Sequence, residues 1–218
     1  MMAIPGTRGR WLLHPAVKPA LFLLCLLPLA WLIWGAATDG LGANPAEKLI
    51  RATGDWTLRL LCATLAVTPV RKMLRVPALA RFRRMLGLFT FSYALLHLLC
   101  YAGFDMGLDL ADIAADIAKR PFILVGMSTF AVLLVLAITS FQPLVRWLGG
   151  RRWQQLHRLV YLAAGLAILH FFWMRAGKRD FADVLLYGGL LAMLLLARVV
   201  LRWRDAPSKI TKKIAFYA

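Results

Sequence analysis

The stretch LHRLVYLAAGLAILH, residues 156–170, decides which kind of fold this chain adopts. It is apolar for most of its length and long enough to enter a membrane, yet it contains two histidines, His157 and His170. Ionisable side chains are rare at bilayer depth, and those that occur usually face a partner or a cofactor. The rest of the sequence must therefore supply the group that these histidines face.

The composition is that of a membrane protein. Of the 218 residues, 61% are hydrophobic and only 17% are charged, and the mean hydropathy is +0.69. Soluble domains are roughly 45–50% apolar and about a quarter charged. The formal net charge of +17 would suggest nucleic acid binding in a soluble chain. Here the basic residues lie between apolar segments, where they act as topology signals, so we expect no nucleic acid partner.

Six segments are long or apolar enough to span a bilayer. Lipid leaves no water to satisfy backbone groups, so the expected fold is an all-α polytopic membrane bundle with six transmembrane helices. We expect one domain over residues 20–204, with an N-terminal segment 1–19 and a tail 205–218, both cytoplasmic. The second span is the shortest and contains Arg59. The predicted spans are 20–37, 55–70, 85–104, 121–141, 153–174 and 181–201.

Lysine and arginine in the short loops predict the orientation, because basic residues favour the cytoplasmic side. The loops after the second, fourth and sixth spans carry most of them, so we expect both chain termini in the cytoplasm and the bundle in the bacterial inner membrane. These basic residues are Arg71, Lys72, Arg75, Arg81, Arg83, Arg84, Arg146, Arg151, Arg152, Arg202, Arg204, Lys209, Lys212 and Lys213.

The loop FDMGLDLADIAADIAKR, residues 104–120, has a helical pattern of its own. Asp105, Asp109, Asp112 and Asp116 recur at steps of four, three and four, and apolar residues repeat the same steps one position later. This pattern predicts an amphipathic helix at the outer membrane interface. Its acidic face is either simply solvated or a docking surface for an extracytoplasmic partner.

Two histidines lie at similar depth on separate spans. At 1.5 Å per residue, His97 lies roughly 12 Å from the outer end of span three, and His170 lies roughly 8 Å from the outer end of span five. We therefore expect them to face each other across a porphyrin, as the axial ligands of a haem iron. The haem is expected to be of b type, because the sequence has no C-x-x-C-H motif.

Other interpretations of the histidines stay open at this stage. A lone histidine on an apolar face is more often a packed core residue than a ligand. His157, about 20 Å deeper than His170, is an inner haem ligand, a quinone or flavin contact, or an interfacial residue. The alternative functions are a self-contained haem metal or oxygen reductase and a non-redox transporter or scaffold.

Four segments carry a family resemblance. They are NPAEKLIRATGDWTLRLLCATLAVTPVR (44–71), RRMLGLFTFSYALLHLLCY (83–101), KRPFILVGMSTFAVLLVLAITS (119–140) and RWQQLHRLVYLAAGLAILHFFWMRAG (152–177). Together they closely resemble the MsrQ family, formerly called YedZ. That family belongs to the ferric-reductase-like transmembrane group, which also includes the membrane part of NADPH oxidases.

The resemblance implies a function and its cofactors. It implies b-type haem, one or two per chain, and FMN, with His97, His157 and His170 as the haem-associated histidines. It also implies electron transfer to a periplasmic molybdopterin subunit, MsrP, which carries the methionine-sulfoxide site and repairs oxidised proteins. The sequence shows no Rossmann glycine fingerprint, so we expect the quinone pool or a separate cytoplasmic flavin reductase to donate the electrons.

The chain departs from the NADPH oxidases at one position. Those proteins have a second histidine on span three, several helical turns deeper than the first, whereas the corresponding region here holds Arg83 and Arg84. A second haem at His157 would therefore need a non-histidine partner or an open coordination position.

Overall fold

The computed structural model describes residues 9–177 and 179–204, and all regular structure in this part of the chain is helical. This confirms the predicted all-α fold. Short 3₁₀ helices, Arg10–Leu13 and Pro77–Phe82, precede two of the α-helices, and a π-helical turn, Tyr101–Asp105, extends α3. The α-helices are α1 (Val17–Ala37), α2 (Pro45–Leu74), α3 (Arg83–Cys100), α4 (Leu110–Lys119), α5 (Pro121–Ile138), α6 (Gln142–Leu156), α7 (Leu159–Ala176) and α8 (Ala182–Arg204).

Five helical segments are long and apolar enough to cross a membrane, and they correspond to five of the six predicted spans. The segments are Val17–Ala37, Pro77–Asp105, Pro121–Ile138, Leu159–Ala176 and Ala182–Arg204. The remaining predicted span, 55–70, lies within α2, whose hydropathy is lowered by charged residues near both ends and by Asp55 and Arg59 in its interior. With 30 residues, α2 is about 45 Å long, which exceeds the bilayer core of about 30 Å. The six-span count stays a prediction.

The bundle is built around α2. Leu61 and Leu65 of α2 are almost fully buried and pack against Ala164 of α7 and Leu191 of α8. On another side of α2, the core of α1 and α3 includes Phe89, Tyr93 and Cys25. Cys25 and Cys62 are buried free thiols, and Cys100 is a partly buried one.

Local sequence signals explain where α2 begins and ends. Asn44 caps its first turn, because the Asn44 side chain accepts a hydrogen bond of 3.1 Å from the backbone N–H of Glu47. Pro45 follows at the first helical position, where a missing N–H costs nothing. The helix stops at Arg75, which adopts a left-handed conformation with φ of 55°.

The two ends of the bundle differ in charge. We call the end with α4 and the α7–α8 connection the acidic end, since it carries Asp105, Asp109, Asp112, Asp180 and Asp183. The opposite end, with the 3₁₀ helix Pro77–Phe82 and with α6, is the basic end. Helices α2 and α5 run from the acidic end to the basic end, and α3 and α7 return.

The prediction of one continuous span over residues 153–174 was wrong at its first residues. The chain forms α6, ends it at Leu156, and begins α7 only at Leu159. Gly149 kinks α6 with a φ of 71°. The three arginines of α6 (Arg146, Arg151 and Arg152) make it unsuited to hydrocarbon, which explains why the membrane-crossing helix starts later.

A proline disrupts the backbone hydrogen bonding of α1, and a side chain from α3 binds the backbone groups that are left without a helical partner. Pro28 lies inside α1, where its ring disrupts the preceding turn. The hydroxyl of Tyr93 bridges the opened turn: it accepts from the Leu29 N–H at 3.1 Å and donates to the Cys25 carbonyl at 2.9 Å. A neighbouring helix thus satisfies backbone groups that lipid would leave unpaired.

A second proline in α2 is compensated in the same way by α8. Pro69 has no N–H to offer the carbonyl four residues earlier, which belongs to the fully buried Leu65. Arg198 donates to this carbonyl from Nε, at 3.2 Å, and from Nη2. Its Nη1 donates to the Tyr161 hydroxyl at 2.7 Å. Arg198 therefore holds α2, α7 and α8 together.

Replacing Tyr93 with phenylalanine should destabilise the bundle. The change keeps the ring but leaves the Leu29 N–H and the Cys25 carbonyl without a partner, a loss of about 1–3 kcal/mol for an unsatisfied buried group. The midpoint of thermal unfolding in detergent should fall. The matched control is Ser92→Ala, because the exposed Ser92 hydroxyl donates only within its own helix; equal midpoints for the two variants would contradict the bridging role.

Candidate functional site

The structure brings His97 of α3 and His170 of α7 together. Their ring centroids are 6.2 Å apart and their ring planes are inclined by 77°. Helices α3 and α7 run in the same direction, so the meeting agrees with the matched depths predicted from the sequence. Both rings are partly buried and line one cavity between the helix pairs α2–α3 and α5–α7.

Each histidine ring is held by a backbone carbonyl of the helix beside it. His97 Nδ1 lies 2.8 Å from the Ile50 carbonyl of α2, and His170 Nδ1 lies 2.7 Å from the Phe122 carbonyl of α5. A carbonyl oxygen only accepts, so each Nδ1 must carry the proton and donate. The proton at Nδ1 leaves Nε2 of each neutral ring with a free lone pair, which is the form that binds a metal.

Two glycines make this approach possible. Gly54 lies one turn after Ile50, and a Cβ there would sit 3.2 Å from Cε1 and Nδ1 of His97. Gly126 lies one turn after Phe122, and a Cβ there would sit 2.9 Å from the same atoms of His170. A larger residue at Gly126 would force the His170 ring to shift, and one at Gly54 would crowd the His97 ring.

The two halves of the site repeat one pattern. In each half, a residue on α2 or α5 supplies the carbonyl, and a glycine follows it four positions later on the same helix. On the neighbouring helix, α3 or α7, an alanine lies three positions before the histidine. The chain separation between carbonyl and histidine is 47 residues in one half and 48 in the other. The residues predicted from the sequence did not include Gly54, Gly126, Ala94 and Ala167, although the similar segments ALLH (94–97) and AILH (167–170) were a visible signal.

The cavity has a volume of about 270 Å³ and differs in polarity along its length. Its polar lining comes from residues near the acidic ends of the helices: Arg51, Asp55, Tyr101, Asp105, Arg120 and Arg175. Its lining toward the basic end is mainly apolar and includes Leu58, Ala94, Phe130, Leu133 and Ala167. An elongated ligand with one polar end and one apolar end fits this lining.

An amphipathic helix forms within the predicted segment as α4, but Asp105 lies outside it, on the preceding π-helical turn. Two of the other three aspartates, Asp109 and Asp116, make hydrogen bonds. The Asp109 side chain caps α4 by accepting from the N–H groups of Ala111 and Asp112 at 2.7 and 3.1 Å. Asp116 is only 9% exposed. It accepts from the Tyr101 hydroxyl at 2.7 Å and pairs with Arg120 Nε at 2.9 Å. The expectation that all four aspartates form a solvated or docking face was therefore wrong at Asp116.

His157 lies apart from the histidine pair. It follows the last residue of α6 at the basic end, where its ring packs against that of Trp153 with centroids 4.1 Å apart. Its Nε2 is hydrogen-bonded to the Thr139 hydroxyl at 3.3 Å. Arg83 is near enough to interact electrostatically with the ring. Within the described residues, His157 thus has packing and hydrogen-bond partners unrelated to His97.

Comparison with known proteins identifies the family. Residues 53–168, just over half of the chain, match the family model described as ferric reductase like transmembrane component. A relative from Polaromonas naphthalenivorans (strain CJ2) is 59% identical over 215 residues, covering 99% of this chain and 98% of the relative.

Further relatives extend the match. Identity is 53% over 191 residues with a protein of Ralstonia nicotianae, covering 88% of each chain, and 46% over 178 residues with one of Caulobacter vibrioides, covering 82% of this chain and 84% of the relative. All three relatives are named protein-methionine-sulfoxide reductase heme-binding subunit MsrQ. The chain therefore belongs to the MsrQ family, within the ferric-reductase-like transmembrane group.

Proposed function

We propose that the chain is a haem-bearing electron-transfer subunit and that His97 and His170 bind the iron of one b-type haem. The observation that carries the proposal is the meeting of two imidazoles with free Nε2 atoms. Two rings that bind one metal ion from opposite sides, with bonds of about 2 Å and centroids about 1 Å beyond each nitrogen, have centroids about 6 Å apart. The observed centroid distance is 6.2 Å.

The residues around the pair also fit a haem. A haem would need only two histidine ligands from the protein, and His97 and His170 would hold it. Ala94 and Ala167 precede the histidines by one turn and keep the cavity wide beside the rings. The carbonyls of Ile50 and Phe122 fix the tautomer and orientation of each ligand, as second-shell partners of metal-bound histidines generally do. A bound haem supplies a one-electron redox centre at this place.

The direction of electron flow follows from the family and from the predicted orientation. The relatives are named as heme-binding subunits of a protein-methionine-sulfoxide reductase, so we propose that the acidic end faces the periplasm and serves MsrP, the molybdopterin subunit. Electrons enter from the quinone pool or from a cytoplasmic flavin reductase. Reduction of methionine sulfoxide belongs to the partner, and this chain delivers the electrons.

His157 and the basic end are candidates for a second redox group. FMN is proposed on the family resemblance alone, and the cationic side chains of Arg71, Arg83 and Arg198 supply the charge that a phosphate requires. A second haem would use His157, whose Nε2 would first have to leave the Thr139 hydroxyl. Neither group shares ligands with the histidine pair.

Alanine at either His97 or His170 should remove the same haem. Each substitution deletes one axial bond that the apolar surroundings cannot replace, so both single variants should lose the same low-spin signal in electron paramagnetic resonance spectra. The double variant should lose little more, because the two residues act as one unit. His14→Ala is the control, since the exposed His14 ring lies before α1, apart from the histidine pair, and accepts from the Ala16 N–H.

The same measurement separates His157 from the pair. His157→Ala should retain the low-spin species while changing a second haem signal or the rate of reduction from the basic end. If His97→Ala keeps the low-spin species that His170→Ala loses, the pairing is wrong. A purified chain without any b-type spectrum would instead favour the non-redox scaffold.

Electron delivery should depend on the partner. In anaerobic proteoliposomes containing quinol or a flavin reductase, the haem should become reduced, and it should be reoxidised only when both MsrP and methionine sulfoxide are present. His97→Ala should abolish this reoxidation. Reoxidation by methionine sulfoxide without MsrP would contradict the assignment of catalysis to the partner, and equal reoxidation by ferric iron alone would favour a self-contained reductase.

The proposed orientation has its own test. We propose both termini in the cytoplasm, the bundle in the inner membrane, and one six-span domain over residues 20–204 with flanking segments 1–19 and 205–218. Reporters fused after Arg84 and after Arg204 should report the cytoplasm, and a reporter inserted within residues 109–119 should report the periplasm. A cytoplasmic signal from the insertion in α4 would reverse the proposed direction of electron flow.

A further inference from the structure

Among the described residues, the charged side chains that line the cavity at the histidine pair all lie at one end of it. Its three guanidinium groups belong to Arg51, Arg120 and Arg175, all near the acidic ends of their helices. Two carboxylates, Asp55 and Asp105, line the same region, so positive groups outnumber negative ones in the lining. Toward the basic end, the lining residues that the structure describes offer apolar side chains and the hydroxyls of Thr57 and Thr129.

A haem carries two propionate carboxylates on one edge, and this edge must face one end of the cavity. Placing two carboxylates among Leu58, Phe130 and Leu133 would desolvate them without a cationic partner, which is strongly unfavourable. Placing them at the acidic end brings them to guanidinium groups, which bind carboxylates through paired, charge-assisted hydrogen bonds. The polarity of the lining therefore selects one orientation.

Arg175 is the best placed of the three arginines. It lies on α7, five residues beyond His170, and its side chain is only 16% exposed. Its guanidinium lies over the ring of Phe171, which also lines the cavity. It pairs with Asp180 at 3.1 Å and with Asp183 at 3.4 Å, both 52% exposed. Ion pairs with such exposed carboxylates contribute little to stability. Arginine has five N–H donors, so Arg175 has further donors for another carboxylate.

Arg51 lies on the side of the cavity opposite Arg175. It follows Ile50, whose carbonyl holds His97, so Arg51 belongs to the His97 side of the cavity and Arg175 to the His170 side. Its ion pair is with Glu47 on its own helix, and both side chains are more than a third exposed. A buried carboxylate can replace such a screened partner. Arg120 is committed to the buried Asp116.

We propose that Arg51 and Arg175 bind the two haem propionates at the acidic end of the cavity, one arginine on each side of the ring. This inference rests on the proposed haem function and adds the carboxylate-binding residues and the orientation of the cofactor. Haem bound in this way presents its propionate edge to the acidic end and its apolar edge to the core of the bundle.

The test uses apo-protein prepared under haem depletion and titrated with two ligands. Iron protoporphyrin IX has both carboxylates, and its dimethyl ester has neither but keeps the same ring and iron. Wild-type protein should bind the free acid at least about tenfold more tightly than the ester, as expected for charge-assisted hydrogen bonds. Arg175→Leu and Arg51→Leu should each reduce this ratio, and the double variant should bring it close to one.

Two further variants make the result specific. Arg59→Leu is the matched control: Arg59 is also on α2, but its Nε donates to the Tyr187 hydroxyl at 2.9 Å, its guanidinium packs on Trp56, and it does not line the cavity. It should keep the wild-type ratio. The preference for the free acid over the ester should be larger in Arg175→Lys than in Arg175→Leu, because lysine keeps the positive charge but lacks the planar guanidinium group that binds a carboxylate through two hydrogen bonds.

The outcomes separate this inference from the function on which it rests. Wild-type protein that binds neither ligand would overturn the proposed haem function itself. Wild-type protein that binds both equally well, with a low-spin spectrum, would overturn only the role of the arginines. Arginine variants that lose affinity for acid and ester to the same extent would also overturn it, because such a loss reflects packing and not carboxylate binding.

Discussion

The hydrogen bonds from His97 and His170 to helix carbonyls are the constraint on which the site depends. Each imidazole donates Nδ1–H to a carbonyl whose own helical partner is the glycine four residues later. A Cβ at that glycine would lie 3.2 Å from the His97 ring or 2.9 Å from the His170 ring, so glycine leaves room for the close approach. This contact therefore fixes the tautomer and the position of each ring. It also favours glycine four positions after the carbonyl residue, and it requires close packing of α3 on α2 and of α7 on α5.

Because this contact occurs twice, the site has an approximate internal repeat. The α2–α3 pair and the α5–α7 pair present equivalent carbonyls, glycines, alanines and histidines to the same cavity. The cationic residues do not repeat: Ile123 occupies the position equivalent to Arg51, and Ala102 the position equivalent to Arg175. The repeated residues thus line the part of the cavity that suits a symmetric ring and its iron. The arginines that are not repeated, Arg51 and Arg175, make one end of the cavity positively charged.

The same rule about backbone groups governs the rest of the bundle. A membrane-spanning fold leaves unpaired carbonyls and N–H groups without water, so a proline inside a helix must be compensated by a neighbour. Tyr93 does this for α1, and Arg198 does it for α2. At the acidic end, Asp116 ties α4 to Tyr101 in a comparable way. These polar contacts between helices give a bundle with mostly apolar packing a defined arrangement.

The sequence by itself determined the helical class, five of the spans, the amphipathic helix α4, the matched depth of His97 and His170, and the family. Those features depend on hydropathy, periodicity and spacing along one chain, which are local properties. Only the tertiary structure decided that Ile50 and Phe122 hold the two rings, that Asp116 is buried, that α6 is separate from α7, and that one end of the cavity is cationic. Each of these depends on how a helix is rotated about its axis against a neighbour, and the packing of several distant segments sets that rotation.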